Sequence, residues 1–248
     1  PKDMFNNLEK KIKCGGRTIS EYDEDLSQNL SVEEILINSG NIGSVKIGQK
    51  LGVDKIKNFL GQIGILGDIK FDISEIGSPI PFNWGKCKLL TVSFGHGITT
   101  TLLQLAKGYA IISNGGLSIT PTLVKNDDIK FEKRKRVLSR DVSFKINQIL
   151  RKVVTAGTAS LADVKGYNVG GKTGTALIVE DGKYTKKKIN TFASIFPTNE
   201  PVYVLIVMLE DTKLSKDYVY KYRNKPGSFV GTPFNTAGWT SVEVAAKI

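Results

Sequence analysis

Apolar side chains recur at helical spacing along the first part of the chain and form continuous runs in the last part. Helices are predicted at Ser31 to Asn38, from about Ile42 onward, at Thr100 to Asn114 and at Ser139 to Thr155. The first begins at a capping box, because Ser31 precedes Glu34 at the spacing that lets the two residues cap each other. Helices are therefore expected to dominate to about residue 165, apart from a turn-rich region from Gly67 to Leu90.

Each of the two longest helices has a predicted buried face. In the helix that ends before a predicted C-cap at Gly115, this face contains Leu102, Leu103, Leu105, Ala106, Tyr109 and Ala110. In the helix that starts at the N-cap Ser139, it contains Val142, Ile146, Ile149, Leu150 and Val153.

Three segments rich in β-formers follow, at Asn168 to Val179, Lys188 to Phe196 and Val202 to Leu209. The turn Asp181-Gly182 and the corner Asn199-Glu-Pro201 join them, and connections this short make the three strands antiparallel neighbours. The fold class is therefore predicted to be α+β, with an antiparallel sheet flanked by helices. Residues 211 to 234, rich in Lys, Tyr, Gly and Pro, are predicted to be a long loop near the substrate cleft.

The segment Gly166 to Ala176 fits two motifs whose mechanisms are incompatible. Counted from Gly166 it has the G-x-x-x-x-G-K-[ST] spacing of a phosphate-binding loop. Counted from Lys172 it reads Lys-Thr-Gly-Thr, the third box of the serine acyl-transferases that penicillin inhibits.

The flanking residues favour the second motif. A phosphate loop lies between a buried strand and a helix, but Ser160 to Lys165 lacks the apolar run of a central strand. The residues after Gly174 are β-formers, so Lys172 is predicted to lie on a strand. Nucleotide binding stays open as a less favoured alternative, because the acids after Leu209 imitate a Mg²⁺-binding strand end.

An acyl-transferase would use each residue type of this strand. Lys172 would supply a positive charge, Thr173 a hydroxyl for the substrate carboxylate, and the Thr175 N–H one donor of an oxyanion hole. Three glycines in five positions, Gly170, Gly171 and Gly174, weaken a strand unless something approaches its backbone closely. A peptide substrate that adds a strand along this edge would make that approach.

A second box, Ser39-Gly40-Asn41, fits the Ser-x-Asn element of the same enzymes. In such a box the serine hydroxyl relays protons, and the asparagine amide orients the substrate and a catalytic lysine. The box falls between two predicted helices, where short polar side chains can point into a cleft.

The order and spacing of these passages give the chain a specific resemblance. From about Gly16 to its end, it resembles the C-terminal part of the transpeptidase domain of a class B penicillin-binding protein, closest to the division-specific type. The passages that carry the resemblance are Leu30 to Gly43, Ser93 to Ala106, Ile112 to Gly116, Gly157 to Ala159 and the Lys172 box.

The resemblance implies a D,D-transpeptidase of peptidoglycan synthesis with a penicillin-binding/β-lactamase-like fold. Ser39 would shuttle protons, Asn41 would hold the substrate and the catalytic lysine, Lys172, Thr173 and Gly174 would bind the substrate, and the Thr175 N–H would stabilise the oxyanion. The family's nucleophile lies in a Ser-x-x-Lys box upstream, and no serine in these residues has a lysine at that spacing. Residues 1–248 are therefore expected to be a single domain, the C-terminal portion of a transpeptidase domain, unable to acylate alone. Gly40 departs from the family, in which a larger residue is common.

Histidine and metal chemistry find little support in the sequence. The single histidine, His96, lies between two glycines and is predicted to be a loop residue rather than a catalytic base. Cys14 and Cys87 lack the paired spacing of a zinc site, so no metal and no cofactor are expected. The sequence leaves open whether these two cysteines form a disulfide.

The net charge of +11 is concentrated in the runs Lys130 to Arg136 and Lys183 to Lys188. These are predicted to be solvated surface, with an anionic membrane or carboxylate-rich cell-wall peptides as partners if they are functional; nucleic acid is not expected. The longest apolar run is too short to span a bilayer. By resemblance, an anchor elsewhere would hold the domain on the extracytoplasmic, periplasmic side of the bacterial inner membrane. The implied partners are stem peptides, β-lactams and division proteins.

Two further functions remain open at this point. A D,D-carboxypeptidase or β-lactamase shares the boxes and differs only in whether water or an amine resolves the acyl-enzyme. A module that senses β-lactams or docks division partners without turnover is the alternative from another functional class.

Overall fold

The computed structural model divides the chain into two compact units, Pro1–Ile149 and Leu150–Ile248. It describes residues 2–73, 83–85, 87–125, 134–181, 183–221, 226–231 and 234–248. That the chain forms a single domain stays a prediction.

The first unit is mainly helical and opens with short strands. It contains, in chain order, β1 (Met4–Phe5), β2 (Lys11–Cys14), β3 (Arg17–Ser20), β4 (Leu30–Ser31), α1 (Val32–Ile37), α2 (Asn41–Leu51), α3 (Val53–Gln62), α4 (Lys88–Ser93), α5 (Leu102–Ser113) and the start of α6 (Arg140–Ala156). One of its core clusters consists of Leu8, Ile19, Leu30, Ile35, Ile42, Val45 and Leu90.

The hairpin of β2 and β3 is an element that the sequence prediction did not include, although helices dominate the first unit as predicted. The strands pair antiparallel, with Ile12 opposite Ile19, and the turn between them consists of Gly15 and Gly16 at φ +56° and +75°. A two-residue turn with both φ values positive matches the twist of a hairpin, and glycine adopts it without strain. The Gly15-Gly16 pair is therefore a local sequence signal for a hairpin turn, although few apolar residues flank it.

A disulfide joins Cys14 to Cys87, which settles the alternative that the sequence left open. It ties the end of β2 to the residue before α4, with the two Cα atoms 5.7 Å apart. A Cβ at Gly15 would lie 3.1 Å from the Cys87 Sγ, a tight contact that favours glycine in the turn.

The start of α5 agrees with the sequence prediction, because Thr101 forms a capping box with Gln104, but the C-cap is Asn114 rather than Gly115. The predicted buried face is correct in part. Leu102 is 44% exposed, and the other five predicted residues are partly buried. The fully buried residues are Gln104, Gly108, Ile111 and Ser113. Gln104 is buried because its Nε2 donates to the Gly67 carbonyl at 2.6 Å, a contact that apolar spacing cannot reveal.

Helix α6 shows the same contrast. Its N-cap is Ser139, whose Oγ accepts the Val142 N–H at 3.2 Å, as predicted. Ile149, Leu150 and Val153 are buried as predicted, whereas Val142 is exposed and Ile146 is only partly buried. Two polar residues are buried instead: the Ser143 Oγ donates to the Ile112 carbonyl, and the Asn147 Nδ2 donates to the Ser113 carbonyl.

The second unit is built on an antiparallel sheet. After the end of α6 it contains β5 (Gly170–Glu180), β6 (Lys183–Phe196), β7 (Tyr203–Glu210), β8 (Val219–Tyr220), β9 (Phe229–Val230) and α7 (Ser241–Lys247), with 3-10 turns at Ser160–Ala162 and Ala237–Trp239. The strand order β5-β6-β7, antiparallel throughout, confirms the predicted sheet.

Helices pack beside this sheet, as predicted for an α+β fold. The end of α6 and α7 contribute buried Val153, Val154 and Val242, and β6 contributes Phe192 and Ile195.

The connections of this unit agree with the sequence in part. β6 begins at Lys183, earlier than the predicted Lys188, and the corner before Tyr203 joins it to β7. Gly182 of the predicted turn lies outside the described residues. Residues 211 to 234 were predicted to be a long loop, and the short antiparallel strands β8 and β9 correct this prediction in part.

No helix among the described residues is both long enough and apolar enough to cross a membrane.

Candidate active site

The Ser-x-Asn box lies where the sequence placed it, on the tight connection between α1 and α2. Helix α1 begins at the Ser31 capping box and ends at the C-cap Asn38. Ser39 then takes φ +61°, a left-handed conformation that non-glycine residues adopt rarely. Gly40 precedes α2, and Asn41 is the first residue of that helix.

Glu21, which follows β3, caps the start of α2. The N-cap Gly40 has no side chain to offer, and the Glu21 carboxylate takes this role from outside the helix. Its Oε2 accepts the Asn41 N–H at 2.6 Å, and its Oε1 accepts the Ile42 N–H at 2.9 Å. A negative charge is favourable at a helix N-terminus, where the helix dipole and unpaired N–H groups converge. Sequence reasoning missed Glu21 because no local spacing links it to the box.

The Asn41 side chain is held from the same direction. Its Nδ2 donates to the Ser20 carbonyl at 2.9 Å, so both its backbone and its amide are tied to the end of the β2–β3 hairpin. At Gly40, a Cβ would lie 3.4 Å from the Leu26 Cδ2, which is ordinary van der Waals contact, so packing does not explain the glycine at this position.

The Lys-Thr-Gly-Thr box lies on β5, at one edge of the three-stranded sheet. Lys172 is opposite Ala193, and Thr175 is opposite Asn190. The strand runs on to Glu180, so no helix begins at Lys172. A phosphate-binding loop requires a helix that begins at this lysine. Because β5 continues instead, the structure contradicts the nucleotide-binding alternative.

The three glycines of β5 differ in the space that a Cβ would have. A Cβ at Gly170 would lie 2.4 Å from the Thr198 Cγ2, and one at Gly171 would lie 2.6 Å from the Ala193 carbonyl oxygen. Both positions need glycine for packing within the protein. A Cβ at Gly174 would meet only the Thr191 carbonyl oxygen at 4.0 Å, and this residue is exposed. Of the three, Gly174 alone leaves its backbone open to a ligand.

Lys172 is partly buried, and its Nζ donates to the Thr173 carbonyl at 3.1 Å. Loss of hydration disfavours the charged ammonium and lowers the pKa of Lys172 from 10.5 to about 8. Both the charged and the neutral form of Lys172 are therefore populated at a pH close to 8. Such a group can bind an anion when charged and accept a proton when neutral.

The Thr173 side chain has a partner that the sequence did not assign a role. Its Oγ1 is 2.7 Å from the Oγ1 of Thr158, in the Gly157 to Ala159 passage after α6. Beneath this passage, a Cβ at Gly238 would lie 2.7 Å from the Thr158 carbonyl oxygen. Thr158 therefore lies directly beside the box, and the only sequence signal for it was the resemblance.

His96 is a loop residue, as predicted. It follows α4, and its N–H donates to the Thr91 carbonyl at 2.9 Å. Burial, then the nearby charges of Arg17 and Lys88, lower the pKa of His96. Its ring stacks on Phe94, with centroids 5.9 Å apart.

The structure thus brings Ser39 and Asn41 together in the first unit, and Lys172, Thr173, Gly174 and Thr175 together in the second. That the two sets act on one substrate stays a prediction. No group of His, Cys, Asp and Glu suited to a metal ion occurs within the ranges that the structure describes.

Comparison with known proteins agrees with this geometry. The family model of the penicillin binding protein transpeptidase domain matches residues 1–227. A Caulobacter vibrioides protein named probable peptidoglycan D,D-transpeptidase FtsI is 28% identical over 247 residues, covering 95% of this chain and 40% of the relative. Stage V sporulation protein D of Bacillus subtilis is 32% identical over 194 residues, covering 73% of this chain and 30% of the relative.

Solved structures match as well. The transpeptidase domain of penicillin-binding protein 3 from Burkholderia pseudomallei has a TM-score of 0.82 at 25% identity, covering 99% of this chain and 70% of that one. Penicillin-binding protein 3 of Mycobacterium tuberculosis, solved with ampicillin, has a TM-score of 0.74 at 26% identity, covering 85% of this chain and 51% of that one. The chain spans less than half the length of the Caulobacter and Bacillus relatives. Since the family model matches most of its residues, the chain belongs to the family of penicillin-binding protein transpeptidase domains.

Proposed function

We propose that this chain is part of a peptidoglycan cross-linking D,D-transpeptidase that is acylated by peptides ending in D-Ala-D-Ala and by β-lactams. The observation that supports this best is β5, an edge strand on which Lys172, Thr173 and an unobstructed Gly174 follow one another. An extended peptide can pair with such an edge through main-chain hydrogen bonds.

The proposed roles follow the chemistry of each group. A serine outside these residues attacks the carbonyl carbon of the penultimate D-Ala, and Ser39 relays its proton. The Thr175 N–H donates to the oxygen that becomes negative in the tetrahedral intermediate. The C–N bond to the terminal D-Ala then breaks, and that residue leaves as an amine after taking up a proton.

The remaining groups position the peptide. Asn41 orients the substrate and the lysine of the missing box, and the ammonium of Lys172 and the hydroxyl of Thr173 bind the terminal carboxylate. The acyl group finally passes to an amine of a neighbouring stem peptide, which restores the serine.

We place the whole protein at the extracytoplasmic face of the bacterial inner membrane, held by an anchor outside these residues, with division proteins as partners.

The basic run Lys183 to Lys188 makes some of its contacts within the protein itself. Lys187 pairs with Glu180 at 2.8 Å, and the Lys188 Nζ donates to the Asn235 carbonyl. Residues 130–133 of the other run lie outside the described part of the chain. This partial use favours ordinary protein surface over a binding patch for the second run.

The first experiment incubates the full-length protein with a fluorescent penicillin and detects a covalent adduct by mass spectrometry. The second measures release of D-Ala from a model peptide and transfer of its acyl group to an added amine. We expect an adduct and amine transfer from the full-length protein, and no adduct from residues 1–248 alone.

The outcomes separate the alternatives. Release of D-Ala to water without amine transfer would identify a carboxypeptidase. An adduct without turnover of the peptide would identify a β-lactam-sensing module. Absence of any adduct with the full-length protein would contradict the proposed function.

A further inference from the structure

We infer that Asn190, a fully buried residue of β6 with no access to substrate, is a positioning residue that holds Thr175 for oxyanion stabilisation. The inference rests on the proposed function, since it assigns a support to the Thr175 N–H. It arises from a polar network that neither the motif nor the proposed chemistry requires.

The network joins β5 to β6 across directly opposite residues. The Thr175 Oγ1 donates to the Asn190 Oδ1 at 3.1 Å, and it accepts the Ala237 N–H at 3.0 Å. The Thr175 hydroxyl is therefore engaged on both sides. It fixes the residue between the neighbouring strand and the 3-10 turn Ala237–Trp239.

Asn190 extends the network on its other side to the segments beyond the sheet. Its Nδ2 donates to the Thr212 Oγ1 and to the Asn235 Oδ1, each at 2.8 Å. Thr212 and Asn235 are also linked directly, through the Thr212 Oγ1 donating to the Asn235 Oδ1 at 2.6 Å and the Asn235 Nδ2 donating to the Thr212 carbonyl at 2.5 Å. Every donor of the Asn190 amide is thus used.

Burial makes this arrangement demanding. Asn190 is 0% exposed, so an amide that lost its partners there would pay the full cost of desolvation. A fully satisfied buried network specifies one arrangement of its members, whereas a partly satisfied one does not. The geometry therefore points to a rigid link from the loop after β7 to the strand that carries Lys172 and Thr175.

Such rigidity suits an oxyanion donor. Stabilisation by a backbone N–H depends on the donor being in place before charge develops, and a small displacement loses much of the effect. Asn190 itself cannot touch a substrate. Any effect of its replacement on the acylation step must therefore pass through its neighbours.

The test uses four single variants of the full-length protein and the double variant that combines Asn190→Leu with Thr175→Val. It measures acylation by a β-lactam, resolved into a binding constant and a limiting rate. Asn190→Leu removes the amide. Thr175→Val removes the hydroxyl and keeps the shape of the threonine side chain. Thr175→Ser keeps the hydroxyl. Ser194→Ala is the matched control, because Ser194 is a buried polar residue of the same strand whose Oγ donates to the Leu205 carbonyl outside the network.

We expect Asn190→Leu and Thr175→Val each to lower the limiting acylation rate about tenfold or more, with little change in the binding constant. Their combination should be less than additive, because both break the same link. Ser194→Ala should remain close to the wild-type rate, and Thr175→Ser should lower the rate less than Thr175→Val does, because serine keeps the hydroxyl. In the ligand-free proteins, amide hydrogen exchange of residues 173–177 should be faster in Asn190→Leu than in Ser194→Ala.

A folded Asn190→Leu protein that acylates as fast as Ser194→Ala would overturn the inference. If Asn190→Leu does not fold, Thr175→Val decides: a limiting rate equal to that of Thr175→Ser would overturn it equally. Wild-type protein that forms no adduct would remove the proposed function and the inference together. Wild-type protein that acylates, with variants that match it, would remove the inference alone.

Discussion

Lys172 illustrates how one residue is changed by its surroundings. A solvated lysine keeps its charge far above neutral pH, whereas partial burial on β5 lowers the pKa of Lys172 to about 8. On the proposed function, the charged form binds the terminal carboxylate of the substrate. The residue is then functional below its pKa and loses this capacity above it.

We therefore predict that binding of a carboxylate-bearing β-lactam weakens as the pH rises through about 8. Above that pH the ammonium loses its proton, so the affinity should fall by up to about tenfold per pH unit. The binding constant that precedes acylation, measured from pH 6 to pH 10, checks this. The methyl ester of the same compound is the control, because it has no carboxylate and should show no such fall. An equal fall in affinity for the ester would contradict the role of Lys172 in carboxylate binding. Lys172→Arg should remove the fall in affinity above pH 8, because a guanidinium stays charged.

Glu21 is a second residue whose role follows from contacts rather than from a motif. Its carboxylate accepts two N–H groups at the start of α2, next to the Ser-x-Asn box. We predict that Glu21→Ala destabilises the protein by about 1–2 kcal/mol, the usual cost of losing a helix cap, and slows acylation. Urea unfolding and adduct formation are the measurements. Glu24→Ala is the matched control, since Glu24 is an exposed glutamate in the same segment; equal behaviour of the two variants would exclude the capping role.

At the scale of elements, local signals were enough for some boundaries and not for others. The capping box fixed the start of α1, and the β-rich runs of the last third gave all three strands of the sheet. The buried faces of α5 and α6 could be predicted only in part, because Gln104 and Asn147 are buried through hydrogen bonds to distant carbonyls. Apolar periodicity contains no information about such contacts.

Two glycines of β5, Gly171 and Gly174, should respond differently to substitution, because a Cβ would overlap other atoms at the first and has room at the second. Gly171→Ala should destabilise the protein by about 1–3 kcal/mol, because the new methyl group would overlap the Ala193 carbonyl and the Phe192 ring. Gly174→Ala has room for the methyl group and should leave stability unchanged or raise it by up to about 1 kcal/mol.

The acylation rate should nevertheless fall in Gly174→Ala, because on the proposed function a substrate backbone lies against this residue. Thermal melting and acylation of the two variants separate packing from substrate approach. A Gly174→Ala protein with wild-type acylation would argue against pairing of the substrate with this edge.

At the scale of the whole molecule, the sequence predicted the α+β class and the place of each box on its element. It could not predict the supports of the boxes, because Glu21 and Asn190 contact the boxes across separations of 20 and 15 positions along the chain. The resemblance to a family supplied what spacing alone could not, the relation between the two boxes. How the two units cooperate is the next question at this scale.

Helix α6 gives a physical reason to expect one cooperative unfolding transition. It runs without interruption from Arg140 to Ala156 across the boundary between the units, and it has buried residues on both sides of that boundary, Asn147 before it and Val153 after it. Unfolding one unit alone would end this helix in its middle and expose part of its buried face. We therefore predict that a change that destabilises the first unit also lowers the transition of the second.

The disulfide provides that change, because both of its cysteines lie in the first unit. Replacing Cys14 and Cys87 together by serine should cost about 2–4 kcal/mol, since the bond restricts the unfolded chain. The chain has two tryptophans, Trp84 in the first unit and Trp239 in the second. Fluorine NMR of fluorotryptophan-labelled protein, with the signals assigned by Trp84→Phe and Trp239→Phe, reports each unit separately during urea unfolding. Both signals should shift to lower urea by the same amount in the double serine variant, because the units share α6. A shift of the Trp84 signal alone would show that the two units unfold independently, and the prediction of a single domain would then be wrong.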